Sequence, residues 1–335
     1  MCWRPDASRS RAPATTLRKT RLCDGRTSGT SVAELLQQVV IGLSSGAIYA
    51  LLALALVLIH RATGVVNFAQ GEMAMFSAYV AWQLVQWGSP YWVAFGGTLV
   101  LSFAGGLLLQ RVVMRPVENA PVLTIVIVTL GLLLVFNGLA TWLWSGEVRT
   151  FPPNRPFPTR TFDIGGVVIN VQDLGIIAVT VLLVAGLWAF FRFTKAGLAL
   201  RAAALYPESS RLVGIRVGWM LGVGWGLAAA LGAVSGMFTA AAFPPLEPTM
   251  MQAVLIYAFA AAVFGGIDSP LGAVVGGLTL GVFLNLVGTY ADDLQDLGFP
   301  VDLEGLRLPV AFVFILVLLV ARPQGLFGRA SARRV

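Results

Sequence analysis

Only two of the sixteen acidic side chains stand within or beside apolar stretches long enough to cross a lipid bilayer, and they are the first candidates for chemistry. Glu72 lies in NFAQGEMAMFSAY (67–79), and Asp268 lies in VFGGIDSPLG (263–272). A carboxylate at membrane depth is costly unless it is paired or hydrated, so such residues commonly mark an ion or substrate path. For Asp268, the flanking GGI and SPLG favour an ordinary turn between two helices.

Amide side chains accompany Glu72 in the same short stretch, and others stand alone inside apolar segments. Asn67 and Gln70 can satisfy backbone groups freed where a helix is broken, with Glu72 as the capping residue. The alternative is that these three residues, together with Asn137, line a translocation path. For Asn137 and for Asn285, hydrogen bonding between helices is the favoured role.

The residues needed for most enzymatic sites are scarce in this chain. His60 is the sole histidine, and the two cysteines, Cys2 and Cys23, both lie in the polar N-terminal tail. The only lysines are Lys19 and Lys195, and neither belongs to a GxxxxGK[ST] nucleotide-binding loop. The sequence therefore predicts no catalytic pair, no cofactor and no metal site, and ATP hydrolysis by P-loop chemistry is excluded.

Composition identifies the environment in which the polar residues must be positioned. The 335 residues are 57% hydrophobic and 12% charged, with a mean hydropathy of +0.80 and 37 glycines. A soluble domain carries about twice this charged fraction, so the chain is an integral membrane protein in contact with the lipid bilayer. The 23 basic residues concentrate in the N-terminal tail and in short loops, which argues against nucleic acid as a partner.

The apolar segments predict an all-α, polytopic transmembrane bundle of about eight to nine spans. One span, around Asn67 to Glu72, is predicted to be broken or re-entrant. The first span carries Gly42, Gly46 and Ala50 at four-residue spacing, which favours close packing against another helix. The other predicted spans are Tyr91–Leu109, Val122–Trp144, Leu174–Phe191, Trp219–Phe243, Ala253–Ile267, Leu271–Tyr290 and Leu308–Ala321.

Charge patterning divides the chain into regions and sides. Residues 1–31 form a basic tail predicted to be disordered or not native, residues 32–329 form the membrane domain, and residues 330–335 form a basic C-terminal tail. The basic loop Arg192–Gly218 is predicted to face the cytoplasm. The Ser145–Asp173 loop and the acidic Ala291–Gly305 loop are predicted to face outside. Nine full crossings would place the basic N-terminal tail outside, so the side of the N-terminus stays open.

Several landmarks in order resemble the permease subunits of branched-chain amino acid ABC importers, in particular the H-type (LivH) permease. The landmarks lie between about residues 34 and 329. They are GLSSGAIYALLALAL (42–56), NFAQGEMAMFSAY (67–79), RPV (115–117), LVGI (212–215), AAAVFGGIDSPLGAVVGGLTLG (260–281) and RPQGLFG (322–328).

The resemblance implies a bacterial inner-membrane permease subunit whose energy comes from other chains. Its expected partners are a LivM-like second permease, two ABC ATPase subunits similar to LivG and LivF, and an extracytoplasmic substrate-binding protein. The central loop is expected to seat in an ATPase groove through a short coupling helix within Ala202–Ile215. The expected coupling residues are Arg201, Ala202, Ala203, Glu208, Arg211, Leu212, Gly214 and Ile215.

The chain departs from the usual family pattern at three positions, which leaves the substrate open. Gln70 stands where histidine is common, Asp268 where glycine is common, and Tyr257 where lysine is frequent. Branched-chain or related amino acids are the expected substrates, and urea or short-chain amides are the alternative within the same class. A stand-alone transporter driven by an ion gradient, with Glu72 as the ion site, is the alternative outside that class.

Overall fold

The computed structural model describes residues 32–118, 120–151, 156–158, 160–164, 167–296, 307–322 and 324–328. The predictions for residues 1–31 and 330–335 lie outside these ranges. The helices are α1 (Val32–Thr63), α2 (Gln70–Gln86), α3 (Tyr91–Leu109), α4 (Val122–Trp144), α5 (Val171–Phe193), α6 (Lys195–Leu205), α7 (Pro207–Leu212), α8 (Val217–Ala242), α9 (Met250–Gly265), α10 (Pro270–Asp296) and α11 (Arg307–Ala321). A π-helical turn and a 3₁₀ turn extend α3 through residues 110–117.

The described residues form a helical membrane protein, as the composition predicts. They contain six helices that are long and apolar enough to cross a membrane, and two shorter apolar helices at Met250–Gly265 and Leu308–Val317. The predicted count of eight to nine spans is not established by these helices. The predicted Ser145–Asp173 loop also contains a short antiparallel hairpin of β1 (Thr161–Ile164) and β2 (Val167–Asn170), which the all-α prediction missed.

Three helices, α1, α2 and α8, make the centre of the bundle. Their buried side chains include Leu51 of α1, Tyr79 of α2 and Trp225 of α8, each no more than 1% exposed. By contrast, α3, α4 and α5 are apolar but largely exposed on the isolated chain. Apolar surface of this kind suits lipid or a neighbouring membrane subunit, because neither requires a polar face.

The small-residue stripe of α1 packs against α10, as its spacing predicts. A side chain added at Gly46 would lie 2.9 Å from the backbone oxygen of Gly277, so the two backbones approach as closely as glycine allows. Toward the start of α1, the Nδ2 of Asn285 donates to the backbone oxygen and the Oε1 of Gln38, both at 2.8 Å. Asn285 thus serves as the interhelical hydrogen-bonding residue that the sequence favoured.

The termini of the helices lie at two opposite ends of the bundle. Arg61, Arg201 and Pro270 line one cavity, so α1 finishes, and α6 and α10 begin, at what we call the basic end. At the opposite end, the backbone N–H of Arg149 donates to the carbonyl of Leu246 at 3.0 Å, which joins the segments that follow α4 and α8.

The turn between α9 and α10 lies at the basic end and brings together Asp268, Ser269 and the C-terminal RPQGLFG segment. Asp268 is an exposed turn residue, and its Oδ1 lies 3.8 Å from the Nε2 of His60. Ser269 caps α10, since its Oγ accepts from the N–H of Gly272 at 3.0 Å. The C-terminal RPQGLFG segment pairs with the end of α9, because the N–H of Leu326 donates to the carbonyl of Phe264 at 2.8 Å.

The acidic loop begins later than predicted. Helix α10 continues through Asp296, so the first part of the predicted Ala291–Gly305 loop is helical. Residues 297–306 lie outside the described ranges.

Candidate functional site

A helix break inside the bundle places Asn67 and Gln70 next to each other. The chain leaves α1 at Thr63 and begins α2 at Gln70, and the side chains of Asn67 and Gln70 are 1% and 0% exposed. The Oδ1 of Asn67 accepts from the N–H of Ala69 at 3.1 Å, and its Nδ2 donates to the Oε1 of Gln70 at 3.3 Å. These bonds satisfy polar groups at the connection between α1 and α2. The break predicted within the span around Asn67 to Glu72 falls at this connection, and α2 itself is continuous from Gln70 to Gln86.

Gln70 also holds the start of α2 against α8. Its Nε2 donates to the backbone oxygen of Ala228, near the midpoint of α8, at 3.0 Å. Gly232, one turn further along α8, leaves the space that the Gln70 amide occupies, since a side chain there would lie 2.5 Å from Nε2. Both groups are buried, so this bond is shielded from competing water.

Glu72 and Asn137 form the second half of the cluster. Asn137 lies on α4, and its Nδ2 donates to the Oε2 of Glu72 at 3.3 Å and to the backbone oxygen of Pro248 at 3.2 Å. The Glu72 side chain is 3% exposed and lies in the first turn of α2, where a carboxylate is favoured by the helix dipole. The bonds join α2, α4 and the segment before α9, so Asn137 connects helices as predicted.

The four predicted path residues form two separate hydrogen-bonded pairs at the start of α2, Asn67 with Gln70 and Glu72 with Asn137, which we call together the amide cluster. Asn67 and Gln70 bond to each other and to backbone, as the capping interpretation predicts, whereas Glu72 accepts from the Asn137 side chain and makes no side-chain cap of α2. A path through the same groups would require these bonds to break, because neither cavity at the basic end includes any of the four residues.

A polar cavity of about 250 Å³ lies at the basic end, beside Ala62 and Thr63 at the end of α1. Its wall includes Gln110 of α3, Trp225 of α8, and Glu208 and Arg211 of α7. The Nε1 of Trp225 is buried and has no hydrogen-bond partner among the described residues. Trp225 lies one helical turn from Ala228, so the cavity ends next to the residue that Gln70 holds.

The predicted coupling helix is divided between two helices. Ala202 and Ala203 belong to the end of α6, while Glu208, Arg211 and Leu212 belong to α7. Tyr206 separates them because Pro207 begins α7, and the residue before a proline is disfavoured in helical geometry. A single short coupling helix across Ala202–Ile215 is therefore wrong in detail.

The α7 region closes with a tight turn. Gly214 has φ +84°, a conformation that glycine adopts without strain, and the N–H of Ile215 donates to the carbonyl of Ser210 at 3.0 Å. The turn projects Leu212 and Val213 outward, with exposures of 89% and 76%.

The two arginines expected to contact an ATPase have different surroundings. Arg201 is half-buried, and its Nη2 donates to the carbonyl of Phe191 at the end of α5. Arg211 is exposed on α7 beside the exposed Glu208. Arg201 therefore fastens α6 to α5, which makes Arg211 the better candidate for a partner contact.

Some polar residues of the interior were missed by sequence reasoning. Asp173 was counted as a loop residue, but α5 begins at Val171, and the Asp173 carboxylate is hydrogen-bonded to the hydroxyl of Ser44 on α1. The statement that only Glu72 and Asp268 adjoin apolar segments is therefore wrong. The Asn170 side chain, which accepts from the N–H of Gln172 at 3.1 Å, is an N-cap that marks this helix start in the sequence.

Together, the fold and the site define a polytopic helical membrane protein with polar side chains hydrogen-bonded between its helices. The sequence profile of the family described as "Branched-chain amino acid transport system / permease component" matches residues 38–321. The chain therefore belongs to this family of membrane permeases.

Curated relatives from bacteria and archaea align with most of the chain. The high-affinity branched-chain amino acid transport system permease protein BraD of Pseudomonas aeruginosa is 29% identical over 312 residues, covering 90% of this chain and 98% of BraD. The corresponding LivH of Escherichia coli K12 is 27% identical over 312 residues, covering 90% and 97%. A probable LivH of Methanocaldococcus jannaschii is 29% identical over 286 residues, covering 83% and 88%. The resemblance to LivH-type permeases is confirmed.

Proposed function

We propose that this chain is the H-type permease subunit of an ATP-driven importer for branched-chain or related amino acids in a bacterial inner membrane. Its partners would be an M-type permease, two cytoplasmic ATPases and an extracytoplasmic binding protein. Family membership and relatives named as branched-chain amino acid permeases support the substrate class. The sequence contains no P-loop, so an importer driven by ATP has to obtain its ATP hydrolysis from another chain.

One observation carries the coupling proposal: an exposed apolar surface on the α6–α7 segment beside charged residues. Leu205, Tyr206, Leu212 and Val213 are 57%, 67%, 89% and 76% exposed. Exposed apolar patches of this kind mark interaction sites, and this patch lies in the basic loop rather than on a lipid-facing helix. We call it the coupling surface, and Arg211 supplies a charge at its edge for an acidic partner group.

The coupling surface adjoins the polar cavity, which supports a route for gating. Glu208 and Arg211 belong both to α7 and to the cavity wall, so a partner that pulls on α7 would change the cavity. The amide cluster would be the gate, closed here by the bond from Gln70 to Ala228. A gate of this kind needs to open and close without binding substrate tightly, because tight binding slows release.

Reconstitution of the complete importer tests this proposal. Reversal of the exposed charge by Arg211→Glu should weaken assembly with the ATPases by about ten-fold or more, corresponding to about 1.4 kcal/mol, and should reduce ATP-dependent leucine uptake. Arg160→Glu is the matched control, because Arg160 is also exposed but lies beside β1 at the opposite end. Both variants should insert and fold as the wild type does.

Two results would contradict the proposal. Unchanged ATPase binding and uptake in Arg211→Glu would remove α7 from the coupling contact. Gradient-driven uptake by this chain alone, without ATP, would remove the importer assignment itself.

A further inference from the structure

A second cavity, of about 420 Å³, opens at the basic end between α1, α5, α6 and α10. Most of its wall is apolar and comes from residues such as Leu54, Val184, Leu187 and Leu271. Its volume is within the range of about 300–1,000 Å³ that small-molecule sites occupy. It contains no residue of the amide cluster and shares only Ala62 with the polar cavity beside α7, so the proposed transport path gives it no role.

Three arginines and no acidic residue line this cavity. Arg61 comes from the last turn of α1, Arg192 from the last turn of α5, and Arg201 from α6. The Nε of Arg201 is buried and has no hydrogen-bond partner among the described residues, although its Nη2 is bonded to the carbonyl of Phe191. A buried guanidinium N–H without an acceptor is unfavourable, so this group is suited to an oxygen ligand such as a phosphate.

The apolar wall of the cavity continues onto surface that is suited to lipid. Trp188 and Leu271 line the cavity and are 53% and 61% exposed, and the neighbouring Val181 and Leu182 of α5 are 59% and 70% exposed. The cavity is therefore open beside the exposed apolar face of α5. Trp188 stands one turn before Arg192, the order of aromatic and basic residues that is typical of a membrane interface.

We propose that this cavity binds an anionic phospholipid of the cytoplasmic leaflet. One acyl chain would lie against Leu54, Val184 and Leu187, and the phosphate would accept hydrogen bonds from Arg192 and Arg201. Basic pockets between membrane helices on the cytoplasmic side have this chemistry. Since Arg201 also fastens α6 to α5, a bound lipid would stabilise the position from which the α6–α7 segment extends.

Brominated lipids test the site because bromine on an acyl chain quenches a tryptophan that it contacts. The full-length chain in detergent micelles is titrated with phosphatidylglycerol or phosphatidylcholine that carry the same brominated chains. Brominated phosphatidylglycerol should quench the tryptophan fluorescence at a lower lipid concentration than brominated phosphatidylcholine does. Addition of unbrominated phosphatidylglycerol should restore the fluorescence. Trp188→Phe should remove most of the difference between the two lipids. Equal quenching by both headgroups would overturn the proposal, since it would show only general solvation by lipid.

Two variants separate headgroup binding from chain binding. Arg192→Gln should weaken the apparent affinity for phosphatidylglycerol about five-fold, while Arg216→Gln, an exposed arginine outside the cavity, should leave it unchanged. Val184→Phe, which fills the apolar wall without adding a tryptophan, should weaken the lipid effect without removing any charge.

Inorganic phosphate is the competing occupant. Its addition should protect neither Trp188 from quenching nor the protein from thermal unfolding. Protection by phosphate alone, equal to that given by phosphatidylglycerol, would overturn the lipid assignment. An equal loss of affinity in Arg192→Gln and Arg216→Gln would also overturn it, because the effect would then be one of overall charge.

Discussion

The hydrogen bond between Gln70 and α8 predicts that Gly232→Ala changes the stability of the protein, and the sign of this change depends on whether the Gln70 side chain is present. Gly232→Ala adds a methyl group 2.5 Å from the Nε2 of Gln70, where an ordinary contact is about 1 Å longer. The amide then has to move by about this distance, and a bond of 3.0 Å to the Ala228 carbonyl becomes too long to count as one.

The cost follows from the burial of the amide. Gln70 is 0% exposed, so an amide that loses its acceptor finds no water, and an unsatisfied buried group costs about 1–3 kcal/mol. The added methyl group also overpacks the contact, which destabilises the protein by a further ~1–3 kcal/mol. Alanine gains about 1 kcal/mol over glycine in helix propensity. The net expectation is a loss of about 1–5 kcal/mol.

Two controls isolate the contact, with thermal unfolding in detergent as the measurement. Gly224→Ala lies on the same helix and meets nothing within 4 Å, so only the propensity gain remains and this variant should be stabilised. In a Gln70→Ala background the amide is gone, and Gly232→Ala should change from destabilising to neutral or stabilising. The double-mutant cycle reports this coupling directly.

The functional expectation follows from the same contact. If the amide cluster is the gate, Gly232→Ala should allow uptake that is less dependent on ATP in the reconstituted importer, whereas Gly224→Ala should not. Destabilisation of equal size in the wild-type and Gln70→Ala backgrounds would refute the reasoning, because the methyl group would then be clashing with something other than the amide.

Two further predictions concern the rest of the cluster and the topology. Glu72→Gln retains an acceptor for Asn137 and should retain both fold and uptake, whereas Asn137→Leu removes the donor and should cost about 1–3 kcal/mol in thermal unfolding. Loss of all uptake in a folded Glu72→Gln protein would instead indicate that Glu72 carries an ion. With both native cysteines replaced, Ser209→Cys should react with an impermeant maleimide only from the cytoplasmic side, and Ser145→Cys only from the outside; the reverse would overturn the orientation.

Residue spacing predicted which helix faces pack closely, because that information is local. The small residues Gly42, Gly46 and Ala50 form one face of α1 at helical spacing, and Gly277 of α10 lies against that face. Any bundle that buries α1 has to fill this narrow stripe with another backbone or another small residue. The pattern indicated a close neighbour, although it could not indicate which helix the neighbour would be.

Partners far apart in the chain could not be predicted from residue types. Gln70 bonds to Ala228, which is 158 positions away, and the acceptor is a backbone oxygen that any residue would provide. Arg201 is similar, since its acceptor at Phe191 is a carbonyl and its basic character suggested a partner outside the chain. Only the packing of the helices determines these pairs.

Other differences had a local cue in the sequence. Pro207 predicts an interruption after Tyr206, so two helices in place of one coupling helix could have been inferred. The hairpin of β1 and β2 has β-branched and apolar residues on both sides of a Gly-Gly pair, which is a recognised hairpin pattern. Both cues were outweighed by the high apolar content that favours helices throughout.

Helix α8 is the element through which a partner on the coupling surface could reach the gate. Glu208 and Arg211 of α7 share a cavity with Leu221 and Trp225 of α8, and Ala228, the acceptor for Gln70, follows on the same helix. A helix is stiff along its axis, so a displacement of Leu221 and Trp225 carries Ala228 with it. A shift of about 1 Å is enough to break the bond from Gln70, because hydrogen bonds weaken steeply beyond their normal length. If the amide cluster is the gate, it therefore needs no large motion to open, because one buried bond from Gln70 to Ala228 holds it.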